Sequence, residues 1–449
     1  MKGDLPRGSV AKCLLYFSLP YLFSYFLQTL YGMADLFRIG QYETVASSTA
    51  VAIGSQVMHM LTVMIVGLAM GSTVMIGRAV GAKDDYKARK NVGNTLSLFL
   101  IISVVLTVVL VMFVKPIVSV MDTPSEAASA TEEYLIVCFI GIPFITAYNV
   151  ISSVFRGRGD SKSPMYFIAV SCFFNILLDY LFIGAFHLGP AGAALGTTLS
   201  QAISAAVSVI FAKKKHSDIL PERGDFKFKK DTIFPILKIG VPVALQDGLI
   251  QVAFLVITII ANNRGLTDSG AVGIVEKIIS FLFLVPSSLL SSVSALGAIN
   301  IGAGKPERAK KTLKLAIFAA ISFGAFISIV MQFAAPAAVG VFNHEQPVIA
   351  AGAEYLKGYI LDCALAGIHF CMSGYFCAIG KSWISFMHNI ISVACVRVPG
   401  AYLMSKMFPN TLFPMGLATA AGSLVSAIIC VIAYIAVNAR ERRELPVEN

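Results

Sequence analysis

The chain has 449 residues, 57% of them hydrophobic and 13% charged, with a mean hydropathy of +0.78 and a net charge of +10. A water-soluble chain carries about 25% charged residues, so a soluble globular fold is excluded. The positive charge lies in short connectors between apolar blocks, with no basic motif of a nucleic-acid module, so the expected partner is the lipid bilayer and not nucleic acid.

The first apolar block runs from residue 13 to about 37. It is too long for the apolar core of a signal peptide and no small-residue cleavage pattern follows, so it reads as an uncleaved first helix carrying Asp35 near its end. The next blocks are 44–77, 92–114, 132–154, 164–186 and 190–212. Residues 96–114 contain no charge, and 18 or more such residues suffice to cross a bilayer. The fifth block holds Asn175 and Asp179, four residues apart and so on one helix face. The sixth holds Thr197 about two turns in. A basic, polar stretch over 213–231 interrupts the series. Six more blocks follow at 233–261, 268–301, 312–334, 350–379, 383–405 and 412–438. They carry Asp247, Glu276 beside Lys277, Asp362 and Arg397. None of the blocks alternates polar and apolar residues as barrel strands do. The fold class is therefore an all-α polytopic membrane protein with twelve transmembrane helices.

Basic residues gather at the N-terminus (Lys2, Arg7, Lys12), in the second, fourth, sixth and eighth connectors and in the tail (Arg440, Arg442, Arg443), while odd connectors offer little beyond Lys115, Arg264 and Lys406. The positive-inside rule then places both termini in the cytoplasm. A shift of 221 residues lays VGAKDDYKARK (80–90) on IGAGKPERAKK (301–311), Phe155 on Phe376 and Gly159 on Gly380. The chain thus reads as two six-helix halves, 1–221 and 222–449, joined by the 213–231 linker and related as parallel repeats. Such repeats carry the expectation of a substrate cavity between the halves.

An acid in hydrocarbon is costly and is a functional candidate by default. Helix five enters from the cytoplasm, so Asp179 falls in its outer half; Asp35, Asn175 and Thr197 fall at a similar depth. These four are the candidate cation-coupling site, with oxygen ligands suited to Na⁺ or carboxylates suited to H⁺. The alternatives are hydrogen bonding between helices and, for Asp35, an ion pair with Arg38. Tyr31, Asp247, Glu276, Asp362 and Arg397 are candidates for lining the substrate cavity. Arg397 reads equally well as one half of a fixed bridge to Asp362 or Glu276. His59, His369 and His388 stand singly without ligand spacing and read as structural. The eight cysteines form no CxxC pair, so neither a disulfide framework nor a metal site is expected. With no phosphate-binding loop, HExxH or GxSxG pattern, enzyme chemistry is not expected and no cofactor is implied beyond a coupling ion.

FRGRGDSKSPMYFIAVSCFFNILLDYLFIG (155–184) resembles the fourth connector and fifth helix of the multidrug and toxic-compound extrusion (MATE) transporters. LQTLYGMADLFRIGQ (27–41), INIGAGKPERAKK (299–311), RVPGAYLMS (397–405) and PMGLATA (414–420) resemble other parts of the same family, so the likeness covers essentially the whole chain. The resemblance implies a monomeric multidrug antiporter of a bacterial cytoplasmic membrane. It would expel small organic cations in exchange for H⁺ or Na⁺ by alternating access, with Asp35, Asn175, Asp179 and Thr197 in coupling positions. Arg38 stands where that family usually has an apolar residue. A lipid-linked oligosaccharide or lipid flippase of the same superfamily is the alternative function.

Overall fold

A computed structural model describes residues 8–215 and 220–444. Lys2, Arg7 and residues 216–219 of the linker lie outside them, as do the side chains of Arg442 and Arg443.

The described residues form helices and no strand. In the first half these are α1 (Val10–Tyr42), α2 (Val45–Gly81), α3 (Asp85–Met112), α4 (Val114–Val120), α5 (Ser125–Ile140), α6 (Ile142–Gly157), α7 (Lys162–Asp179) and α8 (Gly189–Lys215). In the second they are α9 (Lys230–Asn262), α10 (Leu266–Leu282), α11 (Leu284–Gly302), α12 (Pro306–Gly340), α13 (Gln346–Tyr359), α14 (Asp362–Ala378), α15 (Trp383–Ser392), α16 (Val398–Met407) and α17 (Phe413–Glu444). π-helical turns extend α7 over Tyr180–Ala185 and join α15 to α16 over Val393–Arg397. Ten helical stretches are each long and apolar enough to span a membrane, and α5–α6 and α13–α14 complete twelve as spans bent by 47° and 43°. Each predicted block overlaps one of these twelve.

Local chemistry sets the boundaries. Thr44 accepts the Ser47 N–H at 3.2 Å to cap α2, and Asp84 accepts the Lys87 N–H at 2.9 Å to cap α3. The repeat extends to the backbone. Lys83 and Gly304 are left-handed (φ 58° and 70°), as are Gly159 and Gly380 (84° and 76°). Each pair is 221 residues apart and closes a helix with the same six-to-one hydrogen bond: Asp84 to Ala79, Lys305 to Asn300, Asp160 to Phe155 and Lys381 to Phe376, all 2.8–3.0 Å. The two bends also correspond, because Gly141 before α6 maps onto Asp362 at the start of α14.

By contact the chain separates into two compact units. One comprises Leu15–Ala244 with Ala298–Lys305, the other Ser9–Leu14, Leu245–Gly297 and the chain from Pro306 on. In the first, Ile39, Val51, Phe139, Ile183 and Ala193 centre a core built from α1, α2, α5, α8 and the π-helical turn. In the second, Ile257, Val272, Ile279, Tyr359 and Met415 do the same for α9, α10, α13 and α17.

The linker is anchored where it is described. Asn94 donates to the Asp225 carbonyl and accepts the Lys229 N–H, both at 3.0 Å, and Arg89 pairs with Glu222 at 2.7 Å. Arg264, one of the three basic residues of the odd-numbered connectors, is held internally. It pairs with Asp268 at 2.7 Å and donates to the carbonyls of Ser405, Phe408, Pro409 and Thr411.

Two glycines related by the repeat allow one close backbone approach. A side chain at Gly81 would run into the Ile299 carbonyl, and one at Gly302 into the Arg78 carbonyl. Neither obstacle is a flexible side chain, so Gly81→Ala is expected to destabilise by about 1–3 kcal/mol. The check is a lower melting midpoint of the detergent-purified protein; an unchanged midpoint would mean the backbones can separate freely.

Candidate functional site

In the first unit, α7 presents Asn175 and Asp179 one turn apart, α1 presents Asp35, and α8 presents Thr197. Asp35 is 3% exposed, and Asn175 and Asp179 are fully buried. Thr197 Oγ1 donates to Asp35 Oδ2 at 3.0 Å, and Asn175 Nδ2 approaches Thr197 Oγ1 at 3.5 Å. The Asp35 and Asp179 carboxyl groups are neighbours. The structure therefore brings all four predicted residues together.

Four oxygens of this group, Asp35 Oδ1, Asn175 Oδ1 and both carboxylate oxygens of Asp179, are buried without a donor among the described residues. Acceptors left bare in a dry site are expensive. An all-oxygen set with two carboxyl groups fits a proton or a hard monovalent cation. Among the described residues there is no cluster of three His, Cys, Asp or Glu side chains of the kind that holds a transition metal.

Two local features make room for Asp179. The helix widens to π geometry directly after it, a distortion found mostly at functional sites. On α8, Gly196 faces it, and a side chain there would collide with Asp179 Oδ1. Gly196→Val is therefore expected to displace the carboxylate and remove coupled transport while helix content is kept. Transport at the normal rate, measured beside circular dichroism, would mean the carboxylate has no fixed place.

Arg38 does not pair with Asp35. Its guanidinium lies 3.4 Å from the centre of the Tyr180 ring and donates to Gln41 at 3.4 Å. Position i+3 brings it alongside the π-helical turn, where the aromatic face competes for the cation. Tyr31, half-buried on α1, lies near Asp35 and Gln201.

In the second unit Arg397 closes the other π-helical turn and donates to Tyr359 Oη at 2.6 Å and to Asp362 Oδ2 at 3.3 Å. Of the two partners expected from sequence, Asp362 is the one it meets. Glu276 Oε2 accepts from Thr258 at 3.2 Å and lies within electrostatic range of Arg397. Lys277 turns outward. Asp247 is half-buried on α9 near Cys377, apart from the Arg397 group among the described contacts.

Sequence reasoning missed three partners. Tyr359, the last residue of α13 before the bend, carries no sequence signal of its own. His369 and His388 are not isolated: their rings are 5.5 Å apart. His388 bonds Ser373 at 2.9 Å and Ser426 at 3.2 Å, and His369 bonds Ser423 at 3.3 Å. The available signal is the pair of small polar residues at helical spacing, 423 and 426.

A duplicated bundle of twelve spans with buried carboxylates in its first half defines a class: a polytopic helical membrane transporter. The MatE family pattern matches this chain twice, over residues 20–181 and 242–403, a shift of 222 at both ends. The chain belongs to the MATE family of membrane transporters. Relatives include "Probable multidrug resistance protein YoeA" of Bacillus subtilis, 26% identical over 406 residues (89% of this chain, 88% of the relative), and "Multidrug export protein MepA" of Staphylococcus aureus, 28% identical over 411 residues (90% and 89%). Among solved structures, an outward-facing multidrug-resistance MATE transporter superposes with a TM-score of 0.91 at 22% identity, covering 98% of each chain. A MOP-superfamily transporter from Pyrococcus furiosus superposes with a TM-score of 0.90 at 22% identity, covering 97% of this chain and 98% of its own. At that identity the likeness establishes the fold.

Proposed function

We propose that this chain is a secondary antiporter that exports cationic, amphipathic compounds across a cytoplasmic membrane in exchange for H⁺ or Na⁺. The observation that carries the reading is the group of donorless oxygens on Asp35, Asn175 and Asp179, buried in the first unit. Family membership and the multidrug names of the relatives support it.

With Arg38 within electrostatic range of Asp179, the two carboxyl groups still lack one positive charge. A proton on one carboxyl group, or Na⁺ held by Asp35, Asn175, Asp179 and Thr197, supplies it. Two bare carboxylates side by side in a low-dielectric interior repel strongly. The arrangement with Asp35 bonded to Thr197 and beside Asp179 therefore reads as the cation-loaded one. Loss of the cation drives Asp35, and with it the outer end of α1, away from α7 and α8. That movement changes the face α1 offers to cargo, so cation and cargo oppose each other's binding, as linkage requires. Alternation of access between the two sides of the membrane then turns a cation gradient into export. The basic connectors support cytoplasmic termini. Tyr31, beside Asp35, and the half-buried Asp247 and Glu276 are assigned to cargo. The Arg397–Asp362 pair is assigned to holding the bend of α13–α14. The chain acts as a monomer with no cofactor beyond the coupling ion.

The experiment uses proteoliposomes loaded with ethidium. An H⁺ gradient and a Na⁺ gradient are imposed separately. Dye movement against its own concentration with at least one of them is expected; no movement with either overturns the reading.

A further inference from the structure

Arg156, near the inner end of α6, is 9% exposed. Its guanidinium lies 4.6 Å from the centre of the Tyr21 ring on α1, and Tyr25 and Tyr148 are its other electrostatic neighbours. Among the described residues no carboxylate pairs with it. Tyrosine faces soften a buried cation but do not neutralise it, and a buried charge without a counter-ion costs several kcal/mol.

Arg156 and Tyr21 line a small, partly open cavity of about 10 Å³ with Thr73, Asn149 and Ser153. That is room for a single small occupant. The hydroxyls of Ser153 and Thr73 and one N–H of Asn149 are already engaged. Asn149 donates to the Ile145 carbonyl at 2.8 Å, Ser153 to the Val150 carbonyl at 2.7 Å, and Thr73 to the Ser153 carbonyl at 3.2 Å. What the cavity still offers as donors is the guanidinium, the Tyr21 hydroxyl and the second N–H of the Asn149 amide. That combination repels a cation, and the space refuses a bulky organic anion.

We infer that this cavity is a binding site for one small inorganic anion of the chloride class, held by Arg156 and Tyr21. The occupant neutralises the buried guanidinium and ties the inner part of α1 to α6. Tyr21 and Asp35 lie fourteen residues apart on α1, about 21 Å along the helix. The anion thus fixes one end of the helix whose other end carries the coupling carboxylate. Its binding is independent of which cation or cargo the protein uses.

The test uses the full chain in detergent, melted in sodium chloride and in sodium gluconate at equal ionic strength and pH. Chloride is expected to raise the midpoint by about 2–4 °C in a saturable manner, and dialysis with radioactive chloride to find one site per chain. Arg156→Gln should abolish both effects, and Arg156→Lys should keep a weaker site. Tyr21→Phe, which keeps the ring and removes the hydroxyl, should weaken binding about threefold to tenfold. Equal midpoints in the two salts with no chloride retained overturn the inference. So does a chloride effect unchanged in Arg156→Gln, which would mean an adventitious ion only. Should Arg156→Gln fail to fold, chloride affinity unaltered in both Arg156→Lys and Tyr21→Phe overturns it.

Discussion

Asp179→Asn should give a well-folded protein whose gradient-driven efflux falls to the level of empty vesicles. The side chain keeps its shape in the space opened by Gly196 and the π-helical turn, but loses the charge that draws a cation. Because both Asp179 oxygens are buried without donors, removing the charge also removes a desolvation cost. The melting midpoint should therefore stay level or rise while transport is lost. That combination separates a coupling role from a structural one: a hydrogen-bonding Asp179 would lose stability on substitution and keep transport. Efflux of ethidium and the melting midpoint of the same preparation are the two measurements. Undiminished efflux would remove Asp179 from the mechanism.

Arg397→Leu should have the largest effect on stability. Asp362 is fully buried, and both it and Tyr359 lose their donor when the guanidinium goes. Breaking a buried pair by removing one partner costs about 3–5 kcal/mol, because the remaining charge is stranded. Arg397→Leu combined with Asp362→Asn should recover most of that loss, since no bare carboxylate remains. Chemical or thermal unfolding of the wild type, the single variant and the double variant forms the check. A double variant no more stable than the single one would mean that the pair is not the reason for the loss.

Hydrophobic length and the placement of Lys and Arg make the twelve spans legible in the sequence. Asn175 and Asp179 are legible because four-residue spacing has one meaning on a helix, and Thr197 because depth can be counted from a connector. Features that depend on packing are not legible. Composition does not mark the bends at Gly141 and Asp362 or the π-helical turns, yet one turn follows Asp179 directly and the other ends on Arg397. Arg38 has two neighbours of comparable appeal, an acid on its own helix and the Tyr180 ring beyond the end of another, and only the fold selects the second. The His369–His388 contact joins helices whose relative rotation no pattern encodes. Gly196 carries no sequence signal because its role is to be absent from the space Asp179 occupies.

The most direct measurement is a count of cations displaced when cargo binds. Purified protein in weak buffer is titrated with ethidium while released H⁺ is followed with a pH dye and released Na⁺ with an ion-selective electrode. About one cation should leave per cargo bound, and cargo affinity should fall about tenfold for each tenfold rise in that cation over the range where it binds. Asp179→Asn should bind cargo with neither the release nor the dependence. Cargo binding by the wild type with no cation released, and an affinity indifferent to both H⁺ and Na⁺, would contradict a coupling role for Asp35, Asn175, Asp179 and Thr197.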